Sequence, residues 1–254
     1  MREVLDALAA GEITVAEAEA RLSGYATTDA GRFDAARETR RGVPEAILAD
    51  GKPPDAVADL VATAVETTGR AIVTRADGER RAAARDAAPE GATVSENEGS
   101  RSVVVHADGY EPPALDALVA IVTAGTSDAP VAGEAAVIAS EMGAAVDRVD
   151  DVGVAGIHRL MDHLELLRDA DVAVVAAGRE GALPTVVAGL VDTPVIGLPV
   201  STGYGAGGDG EAALLSMLQS CSVLSVVNVD AGFVAGAQAG LVARAVDSAR
   251  CRPD

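Results

Sequence analysis

The chain has 254 residues, of which 49% are hydrophobic, and a formal net charge of −19. That length can bury one good core, or one core with a small companion domain. No apolar run approaches the ~18–20 residues that span a bilayer. Acidic residues are spread along the whole chain and Lys52 is its only lysine, which excludes the basic surface that nucleic acid or an anionic membrane would need.

Aromatic residues make up only 2% of the chain and Trp is absent, so base-stacking platforms are not available. Cys221 and Cys251 cannot form a CxxC motif, and His106, His158 and His163 lack zinc-type spacing, so neither structural zinc nor a disulfide framework is expected. The amino terminus, MREVLDALAAGEIT, is amphipathic and mixed in charge, without an export signal, and the expected location is the cytoplasm. Dispersed acid with almost no lysine is the pattern of adaptation to a salty cytoplasm, where screening offsets self-repulsion. A merely acidic protein from a GC-rich genome is the alternative.

Residues 2–24 read as two short helices, the second capped by Thr14 and ended by Gly24. A stretch dense in charge and turn residues follows, carrying Arg32, Arg37, Arg40 and Arg41. These are either a solvated helix face neutralising nearby acids or an anion site suited to arginine's planar fork. Period and composition then predict a helix over 54–67 and strands at 70–75 and 103–106, with a polar helix-plus-loop segment over 77–99. Tyr110-Glu111-Pro112-Pro113 marks the expected boundary between a small α+β domain, 1–113, and a main domain, 114–254.

From Leu118 onward strands and helices alternate. Strands are expected at 118–123, 144–149, 171–177, 194–200 and 222–229, and helices at 130–142, 155–168, 181–190, 209–220 and 231–249. Runs such as VAVVAAG and PVIGLPV lack period-2 alternation, as strands covered on both faces do. The pattern predicts an α/β fold with a doubly wound, flavodoxin-like parallel sheet, whose ligands sit beyond the carboxyl ends of the strands.

The strand-to-helix turns are therefore where chemistry is sought. Gly125-Thr126-Ser127-Asp128 is an anion cradle or an ordinary helix cap. The glycine-rich loop 201–208, with Gly203, Tyr204 and Gly205, suits close backbone approach to a ligand or a flexible connection. Glu180, between Gly178 and Gly181, is a general base or a first-turn acid favoured by the helix dipole. Cys221 is a thiolate nucleophile or a small hydrophobe.

These motifs, in order along both domains, resemble a known family. GVPEAILADGK (42–52), AGTSDAPVAGEAAV (124–137), DVGVAGIHRL (151–160), EGAL (180–183), GLVDTPVIGLPVSTGYGAGGDGEAALLSMLQSC (189–221) and VVNVDAGFVAGAQA (226–239) are similar to the LarB family of nickel-pincer cofactor biosynthesis. These are pyridinium-3,5-biscarboxylic acid mononucleotide synthases, and their carboxy-terminal domain resembles the phosphoribosylaminoimidazole carboxylases and mutases. The resemblance implies carboxylation of the pyridinium ring of nicotinic acid adenine dinucleotide at C5, with hydrolysis of the phosphoanhydride to release AMP. It implies Cys221 and Glu180 as the catalytic pair. Gly125, Thr126, Ser127 and Asp128 would line the site, with Asp151 and His158 nearby and the 203–208 loop against the substrate, while Asn228 and Asp230 would hold the substrate or orient the glycine loop.

Arg37 and Arg40 become candidates for the adenylate phosphates. The co-substrate would be CO2 or bicarbonate, with no tightly bound cofactor, and the departing AMP leaves room for a Mg2+ requirement. Relatives of this fold assemble symmetrically, so a homo-oligomer is expected. Two alternatives stand beside this reading. An aminoimidazole ribonucleotide carboxylase or mutase is disfavoured because the proton-carrying histidine of those enzymes falls at Ala182. A non-catalytic nucleotide-binding module is the other, since fold alone does not fix function.

Overall fold

In the computed structural model, residues 1–203, 205 and 207–252 are described, and they divide into two compact units, Met1–Glu111 and Pro112–Asp254. The first unit opens with helices α1 (Arg2–Ala9) and α2 (Val15–Ser23). Thr14 starts α2 through a capping box: its hydroxyl accepts from the Glu17 N–H at 3.1 Å, and the Glu17 carboxylate accepts from the Thr14 N–H at 2.7 Å. Gly24 ends the helix in the left-handed conformation. There follow β1 (Ala26–Thr28), β2 (Gly31–Phe33), α3 (Arg37–Arg41), β3 (Ile47–Leu48), α4 (Pro54–Thr68), β4 (Arg70–Thr74), α5 (Gly78–Asp86), β5 (Thr93–Asn97) and β6 (Ser102–His106).

β1 and β2 pair as an antiparallel ribbon, and the other four strands form a sheet in the order β3-β4-β6-β5. The core of this unit gathers Val57, Val61 and Ala64 of α4 against Val73, Val103 and Val105 of the sheet. Within the segment 77–99, expected as helix plus loop, residues 93–97 are instead a strand, because every residue of β5 pairs antiparallel with β6. Its sequence TVSEN faces solvent and carries no apolar alternation, so only the partner strand reveals it.

The second unit contains β7 (Leu118–Thr123), α6 (Ala129–Glu141), β8 (Ala145–Val149), α7 (Ile157–Met161), α8 (Leu164–Asp169), β9 (Val172–Ala177), α9 (Ala182–Ala188), β10 (Val195–Pro199), α10 (Glu211–Leu218), β11 (Ser225–Val226) and α11 (Gly232–Arg250). Its five strands are all parallel, in the order β11-β10-β9-β7-β8. This is the expected doubly wound, flavodoxin-like sheet. One face packs on α6 and α11 through small residues such as Ala135, Ala139, Ala235 and Ala239. The other packs on α9 and α10 through Leu183, Val187, Ala213 and Met217.

Two expectations are corrected in this unit. The helix expected at 155–168 is two pieces, α7 and α8, separated at Asp162 and His163. The strand expected at 222–229 shortens to β11, because it sits at the sheet edge and pairs with β10 at only two positions. Strand order reverses at β7, which has β8 on one side and β9 on the other. That switch point, at the carboxyl ends, is where such sheets open a crevice. No helix among the described residues is long and apolar enough to cross a membrane.

Candidate active site

A cleft of about 360 Å3 opens at this switch point, at the lower end of the range for small-molecule sites. Four strand-to-helix turns build it. The β7 turn contributes Ala124, Gly125, Ser127 and Asp128, and the β8 turn contributes Gly153, Val154 and Ala155. The β9 turn contributes Ala177, Gly178, Arg179, Glu180, Ala182 and Leu183, and the β10 turn Thr202 and Gly203.

Asp128 holds three of these turns together. Only 3% of it is exposed, and its Oδ2 accepts from the Gly125 N–H at 2.9 Å. The Gly178 N–H also points to it, and the Thr202 hydroxyl makes a longer contact at 3.5 Å. Burial pushes the Asp128 carboxyl above the usual carboxylate range, and those donors only partly counter the effect. Glycine permits the turns to approach so closely. A Cβ on Gly203 would lie 2.4 Å from the Arg179 nitrogen, and one on Gly153 would lie 2.6 Å from the Ala124 carbonyl oxygen.

Thr123, fully buried at the end of β7, links the first turn to the second. Its hydroxyl donates to Asp150 at 3.1 Å and accepts from the Asp151 N–H at 3.0 Å. The Arg148 guanidinium beside Asp150 holds that carboxyl below its ordinary value, with the Thr123 hydroxyl adding to the effect. Asp151, Arg179, Asp209 and Asp230 all have φ between 44° and 59°. Left-handed backbone is uncommon in non-glycine residues, Asp tolerating it best, and these four positions all fall in turns at the carboxyl edge of the sheet.

The expected site residues fall into groups. Gly125, Ser127, Asp128, Glu180 and Gly203 line the cleft together, and Thr126 sits on the same turn with its side chain exposed. Asp151 is on the adjacent turn, where its carboxylate pairs with Arg159, and His158 is exposed on α7. Asn228 and Asp230 follow β11 at the same sheet edge. The Asp230 carboxylate accepts from the Ser201 N–H at 2.9 Å and so holds the start of the glycine-rich loop. Gly205 is exposed at φ 109°, and Tyr204 lies outside the described residues.

Arg37 and Arg40 belong to the first unit, where Arg37 pairs with Glu45 at 3.1 Å and Arg40 grips Asp34 bidentately at 3.0 and 2.7 Å. Cys221 is exposed in the connection between α10 and β11. In a parallel βα fold such a connection lies at the amino edge of the sheet, opposite the cleft. Arg179, Thr202 and the Gly153-Val154-Ala155 segment were not singled out by their sequence. For Arg179 and Thr202 the only signal was membership of a turn whose glycines drew notice.

The lining can grip an anion through turn N–H groups, and it offers one exposed carboxylate, Glu180, to a proton. Among the described residues no group of three or more His, Cys, Asp or Glu gathers as a metal site.

Comparison with known proteins gives a consistent result. The AIR carboxylase family matches residues 118–251, and the LarB/PurE-like N-terminal domain matches residues 25–107. The uncharacterized protein MJ0165 of Methanocaldococcus jannaschii is 38% identical over 252 residues, covering 96% of this chain and 97% of that protein.

Proposed function

Since the chain belongs to the AIR carboxylase family and joins it to a LarB/PurE-like amino-terminal domain, we propose that it carboxylates C5 of the pyridinium ring of nicotinic acid adenine dinucleotide. Hydrolysis of the phosphoanhydride then yields pyridinium-3,5-biscarboxylic acid mononucleotide and AMP, as a step of nickel-pincer cofactor biosynthesis. The observation that carries this reading is the composition of the β9 turn. Ala182 lines the cleft where a purine-pathway carboxylase would offer its imidazole, and the carboxylate that the turn brings to the cleft is Glu180.

The chemistry follows from the electron demand of the ring. A pyridinium is electron-poor and does not attack CO2. Addition of the Cys221 thiolate at C4 forms an S–C bond, neutralises the ring nitrogen and leaves an enamine nucleophilic at C5. C5 then bonds to CO2, Glu180 removes the C5 proton, and departure of the thiolate restores the aromatic cation. The buried Asp128 fixes the β7 and β9 turns, while the N–H groups and hydroxyls of Thr126 and Ser127 hold a carboxylate or phosphate of the substrate. Water attacks the anhydride.

The test is incubation of the purified protein with nicotinic acid adenine dinucleotide and labelled bicarbonate. AMP and a labelled, doubly carboxylated mononucleotide are the expected products. Cys221→Ala should abolish label incorporation, and Glu180→Gln should slow it by roughly 10²–10⁴-fold. Retained carboxylation in Cys221→Ala, or conversion of an aminoimidazole ribonucleotide instead, would refute the assignment.

A further inference from the structure

Among the described residues that line the cleft, two are acids, Asp128 and Glu180, and one is a cation, Arg179. Arg179 and Glu180 are the central residues of a turn that the Gly181 N–H closes on the Gly178 carbonyl oxygen at 2.8 Å. Both are exposed, and their Cα atoms are about 3.8 Å apart, as neighbours across a trans peptide are. A cation and a carboxylate thus enter one small cleft from adjacent positions.

The backbone that carries Arg179 is fixed by its neighbours. It sits at φ 44°, and the glycine-rich loop lies so close that a Cβ on Gly203 would meet the Arg179 nitrogen at 2.4 Å and its Cα at 2.9 Å. The guanidinium therefore starts from a set position beside Glu180.

Electrostatics gives that position a consequence. The nicotinic acid dinucleotide carries a carboxylate at C3 of its ring, where the nicotinamide dinucleotide carries a neutral amide of nearly the same shape. With Glu180 in the lining and a net charge of −19 on the chain, the carboxylate meets a repulsion that the amide escapes. Left to its acids, the cleft would favour the amide. A guanidinium reverses this, because its planar fork donates to both oxygens of a carboxylate, whereas an amide offers one oxygen and turns an NH2 toward it. The phosphates are common to both dinucleotides and cannot discriminate between them, so selection falls to the ring.

Resting on the function proposed above, we infer that Arg179 is the specificity residue of the cleft: it grips the C3 carboxylate and so selects the acid dinucleotide over its amide counterpart. The placement of Glu180 suits this, since C3 and C5 are meta positions of one ring. A carboxylate held by residue 179 leaves C5 within reach of residue 180.

Calorimetric titration in bicarbonate-free buffer reads the selection without turnover. Wild-type protein, Arg179→Met, Arg179→Lys and Arg168→Met are each titrated with the nicotinic acid and the nicotinamide dinucleotides. Met removes the charge, and Lys keeps the charge but loses the fork. Arg168 is exposed on α8, outside the cleft lining, and its loss changes the net charge by the same amount.

The wild type should bind the acid more tightly than the amide. Arg179→Met should lower the acid-to-amide affinity ratio about tenfold, the low end for a hydrogen bond to a charged group because the guanidinium is exposed. Arg179→Lys should fall between the two, and Arg168→Met should leave the ratio unchanged. A wild type that prefers the amide, an unchanged ratio in Arg179→Met, or an equal shift in Arg168→Met would overturn the inference while leaving the reaction assignment standing. Failure of that assignment reads differently: a wild type that binds neither dinucleotide removes the assignment and the inference together.

Discussion

Gly181 directly follows Glu180 and sits at φ 63°, where a Cβ would lie 2.6 Å from the carbonyl oxygen of Ala213 and 2.7 Å from its Cα. Gly181→Ala therefore carries two separate costs. Placing an L-residue in the left-handed region costs about 1–2 kcal/mol, and forcing a methyl against helix backbone that cannot rotate away costs typically about 1–3 kcal/mol. The sum, about 2–5 kcal/mol, should lower the thermal midpoint by roughly 10 °C for a unit of this size.

Because the chain has no Trp, far-UV circular dichroism is the suitable probe, and urea melts at fixed m-value give the free energy. Gly78→Ala is the control. No atom lies within 4 Å of its Cβ and the position opens α5, so it should be neutral or stabilising by at most about 1 kcal/mol. A Gly181→Ala protein within about 0.5 kcal/mol of wild type would refute the close-approach reasoning. If the turn yields instead of α10, the stability loss will be accompanied by a displaced Glu180, read as a fall in kcat larger than any change in KM.

Asp128→Asn tests the buried carboxyl. Its pKa is raised by burial, so its contribution to stability is fully present below the unfolded value of about 3.9 and is lost as pH rises through the folded value. Asn does not titrate, so the stability difference between variant and wild type should move in the variant's favour from pH 4 to pH 7 in urea melts; movement the other way would refute it. The exposed Arg40–Asp34 pair is screened by solvent, and with the guanidinium already engaged, Arg40→Met should leave calorimetric affinity for the dinucleotide unchanged. A tenfold loss would reassign Arg40 to the phosphates. Raising ionic strength from 0.1 to 1 M shortens the screening length from about 10 to about 3 Å, and the thermal midpoint should rise steeply with salt. A flat profile would remove the halophilic reading.

The elements that sequence alone disclosed are those whose own residues state their environment. β7, β9 and β10 read as strands because both faces are buried and their runs are almost wholly apolar. α2 announced its start through Thr14 and Glu17. The elements that escaped depend on partners elsewhere in the chain. β5 is a strand only because β6 lies beside it, and the extent of β11 is set by a register with β10 that no local pattern encodes. The β7 turn was visible as a hydroxyl-and-acid cradle, yet the main role of Asp128 is to tie that turn to Gly178 and Thr202, a connection across fifty residues and more.

The same reasoning bears hardest on the catalytic pair. Alternation of strand and helix places every residue that follows a strand at one edge of the sheet and every residue that follows a helix at the other. Glu180 is of the first kind and Cys221 of the second, so the rule that predicted the fold also forbids these two side chains from meeting within one chain. Resemblance supplied the pair, and topology supplies the condition under which it can work. Either the thiol reaches the pyridinium from a neighbouring copy, or the nucleophile is not Cys221. In the second case AMP release and carboxylation in Cys221→Ala would both persist. In the first, a Cys221→Ala chain and a Glu180→Gln chain would each be inactive and their mixed oligomer would regain turnover, a result that no arrangement within a single chain can give.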